Sequence, residues 1–363
     1  MKTYDKNELA AILLDSVEGL EYKHETAVLK SVKNPETLFT DKIAVEKILK
    51  ERLNEAKAKT VLMSLTEDYA ESIVERLEKR GVTAVTLYSD EYPERLRQIP
   101  TPPVVLYCKG DLSLLSRDKI LGAVGSRKTL PYAEELLKNI VGVTVKAGAA
   151  VVTGSATGAD KAAIHAGLES GRVISVLAGG IDHVYPDCNR SIIEKVSKNG
   201  LVISEQPPEV APTYWMFPVR NRIIAGLSDC VIIASGDKKS GARHTADFAL
   251  DYGRQVFAFP YSVGIKSGEL CNELIKNGAA LCDRYQDILE ELNLTYDETE
   301  EEILDLSEDE KKLYDAISSG KEDMTAYCME NGVKFFEIAP TLSSLEIQGL
   351  IVKTAGNRYK PVK

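Results

Sequence analysis

Between Lys119 and Phe259 the chain repeats one pattern: a short apolar run, a loop of glycine and other small residues, then a stretch of helical periodicity. Few folds accept it. The runs are Ile120–Val124, Ala149–Thr153, Val173–Leu177, Leu201–Ser204, Cys230–Ala234 and Gln255–Phe259, too short for helices and apolar enough to be covered on both faces. Helical stretches lie over Tyr132–Lys146, Asp160–Ser170, Asn189–Asn199, Thr245–Tyr252 and Asn272–Asn277. The alternation predicts an α/β fold with a Rossmann-like, doubly wound and mostly parallel sheet.

The flanks read differently. Over residues 1–80, apolar residues at helical spacing in Leu9–Leu14, Ala44–Leu53 and Ile73–Leu77 predict a helical bundle, with Asn34-Pro35 as a turn. It resembles a SAM-like or helix-hairpin bundle, which serves either beside a nucleic-acid module or as packing support. A lead-in segment, 81–117, carries the extended stretches Val82–Tyr88 and Val104–Tyr107 into the core domain, 81–292. The acidic run from Asp297 to Glu310 makes 293–306 a solvated linker. From 307 to 363, Ser307 and Glu310 fit a capping box, helices are expected over Lys311–Ile317, Met324–Asn331 and Ala339–Gln348, and a hairpin joins Leu350–Lys353 to Arg358–Pro361. Three helices and a hairpin make a winged helix.

No stretch of the chain has the length and apolarity of a membrane span, so a soluble, cytoplasmic protein without a membrane partner is expected. The six cysteines, Cys108, Cys188, Cys230, Cys271, Cys282 and Cys328, form no CxxC pair and have no histidine at zinc-ligand spacing. They read as reduced and structural, and no metal or cofactor is expected. The net charge of −10 opposes bulk attraction to nucleic acid. Much of that excess sits in the acidic run, so it does not describe a local groove.

In an open α/β sheet, ligands sit beyond the carboxyl ends of the strands. After the first strand come Gly125-Ser126-Arg127-Lys128, with Pro131 placed to begin a helix; glycine admits an anion to the backbone and Arg127 pairs with it. After the second come Gly154, Ser155 and Gly158, with Asp160 near a helix start, either a second phosphate loop or a tight turn. Neither loop fits GxGxxG or a Walker sequence. The segment Phe217-Pro218-Val219-Arg220-Asn221-Arg222, beside Tyr214 and Trp215, combines phosphate partners with stacking faces, as single strands require. Equally, the aromatics could be core and the arginines ion-paired.

The ordered series Val124-Gly125-Ser126-Arg127, Gly154 with Gly158-Ala159-Asp160 and His165, Gly180-Ile181-Asp182 with Tyr185-Pro186, Ser204-Glu205, Phe217-Pro218 with Arg220-Asn221-Arg222-Ile223, Ser240-Gly241 with Thr245-Ala246, and Gly268 with Asn272 and Leu274-Ile275 resembles the DNA-processing protein A (DprA/Smf) family. The match runs over about residues 82 to 291. Leu342, Leu345 and the residues to Ile351 resemble that family's optional winged-helix tail. The resemblance implies a homodimer, formed through the Rossmann-like domain, that binds and protects incoming single-stranded DNA and helps load the RecA recombinase in natural transformation. By position, Arg127 and Arg220 match its main phosphate-contacting residues, and Phe217, Asn221 and Arg222 share their motif. The expected DNA-binding set is Gly125, Ser126, Arg127, Lys128, Gly154, Ser155, Gly158, Lys161, Phe217, Arg220, Asn221, Arg222, Lys239 and Arg243. Asp160, Asp182 and Asn272 are expected to shape loops. Two places depart from the family's pattern, Ala242-Arg243-His244 and Lys161, where extra basic residues either extend the DNA track or are ordinary surface charge.

No catalytic constellation is legible. Of the four histidines, His24 lies in the bundle, and His165, His183 and His244 are scattered over the core. A binding protein rather than an enzyme is expected. The alternative is a nucleotide-sensing Rossmann protein or a LOG-like nucleotide phosphoribohydrolase, whose Pro-Gly-Gly-x-Gly-Thr-x-x-Glu is replaced here by Lys239-Ser240-Gly241-Ala242-Arg243-His244-Thr245-Ala246-Asp247-Phe248, without the glutamate that engages ribose.

Overall fold

The computed structural model describes residues 2–17, 20, 22–32, 34–296, 306–347, 350–354 and 356–361. Two compact units divide the chain, Met1–Tyr296 and Asp297–Lys363.

Six helices open the first unit: α1 (Lys6–Asp15), α2 (Tyr22–Ser31), α3 (Thr37–Thr40), α4 (Lys42–Arg52), α5 (Glu55–Ser64) and α6 (Glu67–Lys79). Their starts are set locally. Asp5 and Glu8 form a capping box on α1, and Thr66 accepts from the Tyr69 N–H at the start of α6. Ala10 to Leu14 and Ala70, Ile73 and Leu77 are buried in a core continuous with that of the sheet. The boundary expected at residue 80 therefore separates no compact unit: the apolar faces of these helices are covered by the sheet edge as well as by each other.

The sheet follows. Its elements are β1 (Thr83–Thr86), α7 (Glu94–Arg97), β2 (Val105–Gly110), β3 (Ile120–Val124), α8 (Pro131–Lys146), β4 (Ala150–Thr153), α9 (Ala159–Glu169), β5 (Val173–Val176), α10 (Arg190–Asn199), β6 (Leu201–Ser204), α11 (Met216–Leu227), β7 (Cys230–Ile233), α12 (Ala242–Asp251), β8 (Gln255–Ala258), α13 (Glu269–Lys276), β9 (Ala280–Leu281) and α14 (Tyr285–Leu292). Nine strands lie in the order β1-β2-β6-β5-β4-β3-β7-β8-β9. From β6 to β9 all pairs are parallel, while β2 joins β6, and β1 joins β2, antiparallel. The six expected strands fall within a residue of their places, and the lead-in segment adds two more to the sheet. The apolar periodicity does not mark α7, α11, α14 or β9. In α11 the apolar pattern is broken by Pro218, Arg220 and Arg222, although proline is well accommodated in a first helical turn.

In the second unit, α15 (Glu308–Ser318), α16 (Met324–Asn331) and α17 (Phe335–Ile347) precede the antiparallel pair β10 (Ile351–Lys353) and β11 (Tyr359–Pro361). Leu313, Ile317, Met324, Leu342, Leu345, Ile351 and Tyr359 form its core. Ser307 and Glu310 make the expected capping box on α15. The third helix starts four residues earlier than expected, at Phe335 rather than Ala339. Most of the expected acidic linker, residues 297–305, lies outside the described residues.

Candidate functional site

β3 has β4 on one side and β7 on the other, while the chain from β3 crosses first to β4. The order reverses there, so a crevice opens beyond the carboxyl ends of these strands. Three loops fill its rim.

The loop after β3 is welded to its neighbours. The Ser126 N–H donates to Ser235 Oγ at 3.0 Å, Thr129 Oγ1 donates to the Ser126 carbonyl at 2.8 Å, and the Ala159 N–H donates to that carbonyl at 3.3 Å. Gly158 makes the approach possible, with φ of 72° and a Cβ position only 2.4 Å from Ser126 O. Any side chain there would drive the loops after β3 and β4 apart. With its backbone fixed on both sides, Arg127 projects outward.

Its guanidinium carbon lies 5.9 Å from the Tyr185 ring centre and 5.8 Å from that of Phe217. The two rings meet edge to face at 5.5 Å. Arg127, Lys128, Lys161 and Lys239 are exposed, and none of them forms an ion pair among the described residues. The Tyr185 loop is anchored from below: Ser155 Oγ donates to the Tyr185 carbonyl at 3.2 Å, and the buried Asn189 donates Nδ2 to the Ser155 carbonyl at 2.8 Å. Tyr214 and Trp215 are 91% and 60% exposed at the entrance to α11, so they are not core residues.

Arg220 and Asp160 sit beneath this rim. Arg220 is 7% exposed, donates Nη1 to the Val176 carbonyl, and donates Nε to Asn221 Oδ1 at 3.1 Å. Burial lowers its pKa to about 10, against the favourable field of Asp160, and Arg127 adds to the lowering. Burial likewise pushes the Asp160 carboxyl up, opposed by Arg220 and by the N–H groups of Ala156 and Gly125. Arg220 therefore acts as an enclosed source of positive potential under the loop of Gly154, not as a surface cation.

The remaining expected residues separate. Arg222 faces away from the crevice, 5% exposed, with both guanidinium termini on Glu205. Residues two apart on a helix point roughly 200° apart, so Arg220 and Arg222 cannot line one surface. That spacing was readable in the sequence. Arg243 pairs with Glu273 at 2.8 Å, and Asn221 Nδ2 donates to the Gly241 carbonyl at 3.2 Å. Asp182 accepts from Arg80 at 3.2 Å, at the chain's junction with α6, and Asn272 brackets both backbone groups of Tyr261. Tyr185, Asn189 and Ser235 lie outside the expected set; Tyr185 is visible within its motif, whereas the two anchors carry no local signal.

The family of DNA recombination-mediator protein A matches residues 83–293. A DNA processing protein DprA of Bacillus subtilis is 38% identical over 224 residues, covering 61% of this chain and 75% of its own. That of Streptococcus pneumoniae is 37% identical over 209 residues, 57% of this chain and 73% of its own. The solved structure of the Streptococcus pneumoniae protein aligns over 80% of this chain and 99% of its own, with a TM-score of 0.68 and 28% identity. The Helicobacter pylori DNA processing protein A, solved for its single-stranded DNA binding mode, aligns over 58% of this chain and 95% of its own, at TM-score 0.54 and 30% identity.

Proposed function

This chain belongs to the DNA recombination-mediator protein A family, and from that premise we propose that it binds single-stranded DNA at the strand-end rim and performs no covalent chemistry there. One observation carries the reading: Arg127, exposed and without an ion-pair partner among the described residues, lies over the rings of Tyr185 and Phe217. A single strand offers a phosphate and an unpaired base within one nucleotide, and this arrangement offers a guanidinium and two aromatic faces. Lys128, Lys161 and Lys239 continue the cationic rim, and the enclosed Arg220 adds to the local potential. Bulk charge is not needed. The binding mode named for the Helicobacter pylori relative supports the same ligand.

Titration with fluorescent oligonucleotides tests this. Single strands should bind in preference to duplexes, with log affinity falling linearly in log salt at a slope of about 0.7 for each phosphate neutralised. If Arg127→Ala combined with Tyr185→Ala leaves affinity unchanged, the rim is not the site. Incubation with nucleoside monophosphates should release no free base; release dependent on the protein would overturn the binding-only reading.

Within this reading the chain works as a homodimer through its Rossmann-like unit, protects incoming strands and hands them to RecA. Sedimentation and RecA strand-exchange assays test those steps. The C-terminal unit is read as a winged helix whose acidic flank, Glu308-Asp309-Glu310, and third helix, which carries Glu337 and Glu346 and no lysine or arginine, suit a protein contact better than a phosphate backbone.

A further inference from the structure

Helix α11 has two faces with different employment. Phe217, Arg220 and Asn221, spaced by three and four residues, share the face beneath the rim. Arg222 lies on the other. Its Nη1 donates to Glu205 Oε2 at 3.0 Å and its Nη2 to Glu205 Oε1. Its Nε donates to Thr101 Oγ1 at 3.3 Å, and the guanidinium carbon stands 5.8 Å from the ring centre of Tyr22. Tyr22 is held in turn, donating its hydroxyl to the Pro102 carbonyl at 3.1 Å. Three separate parts of the chain thus meet on one side chain: the end of β6, the segment before β2, and the first residue of α2. The Arg222 and Glu205 side chains are 6% and 14% exposed, so water competes little for these bonds.

A planar fork held at both termini, at Nε and over a ring has no rotation left. We propose that Arg222 is a positioning residue for the strand-end site: it fixes the rotation of α11 about its axis, and so seats Phe217 and Arg220 beneath Arg127. The inference rests on the DNA-binding reading of the rim. It also gives the N-terminal helices a part in binding, since α2 lends the ring that closes over the pin.

Trp215, the chain's only tryptophan, immediately precedes α11 and is 60% exposed. Its quenching by acrylamide reports the placement of that helix end without any ligand. Two variants of the full chain probe the pin: Arg222→Lys keeps the charge opposite Glu205 but loses the fork, and Tyr22→Leu keeps apolar cover but loses the ring. Both should unfold cooperatively, show altered Trp215 quenching, and bind a labelled oligothymidylate roughly tenfold more weakly than wild type. Wild-type affinity in either variant that folds overturns the proposal. If the wild-type chain itself binds no single strand while quenching shifts in the variants, the DNA reading fails and the pin on α11 stands.

Discussion

Asp160 and Arg220 close over the same empty place: a Cβ on Gly154 would stand 2.3 Å from Asp160 Oδ2 and 2.8 Å from Arg220 Nη2. The glycine is what lets an acid and a base share the space under the rim. Gly154→Ala should therefore force both side chains to shift, costing about 1–3 kcal/mol in urea denaturation. It should also weaken oligonucleotide binding, because the displaced pair supports the loop before Ser155 and Tyr185. An alanine variant with wild-type stability would show that the space is not held this tightly.

Arg127 and Tyr185 should fail in different ways. Arg127→Ala removes the cation proposed to pair with phosphate, so the salt slope of single-strand binding should fall by about 0.7. Arg127→Lys should recover only part of the affinity, since an ammonium keeps the charge but not the planar contact with the two rings. Binding isotherms over a range of salt concentrations read both.

Tyr185→Ala should lower affinity by about 1–3 kcal/mol, the worth of one stacked base, with the salt slope unchanged. A loss confined to low salt would instead mark Tyr185 as a support for Arg127.

A pH effect is expected from the acids behind the pin. Asp15, at the end of α1, is partly buried and accepts from the Tyr107 hydroxyl at 2.5 Å. Burial pushes its pKa from 3.8 up to about 7, opposed by that hydrogen bond and aided by Glu205. Glu25 on α2 is also buried, and its pKa is raised by burial, Asp15 and Glu205 together. The folded state thus keeps a proton on Asp15 that the unfolded chain has lost. Its contribution to stability is complete below about pH 4 and disappears as pH rises to about 7. Urea denaturation should find the first unit weaker at pH 8 than at pH 5, and Asp15→Asn should flatten that difference by about 1 kcal/mol or more. An undiminished difference in the asparagine variant would assign the effect to other groups.

The six longer strands of the parallel core were legible because each is a mainly apolar run with at most one polar residue, most of them followed by small residues. Periodicity sees that pattern directly. The burial of Arg222 was written in its distance from Arg220, yet it could be read only once α11 was recognised as a helix. Neither Asn189 nor Ser235 could be chosen from sequence: each acts through a backbone group brought to it by another strand. The pairing of β2 with β6 was equally hidden, since an apolar run such as Val104–Tyr107 does not name its neighbour.

That pairing bears on how the chain is made. Tyr107 is in register with Ser204, and β2 lies between β1 and β6. As the chain leaves the ribosome, the six N-terminal helices and the β1–β2 ribbon emerge well before Leu201–Ser204 has been synthesised. During that interval one edge of β2 has no native strand to pair with, and an apolar edge of this kind invites foreign strands. Completion of the nascent sheet therefore depends on the timely arrival of β6, and pauses in translation between residues 111 and 200 should be where this protein is most exposed to misassembly.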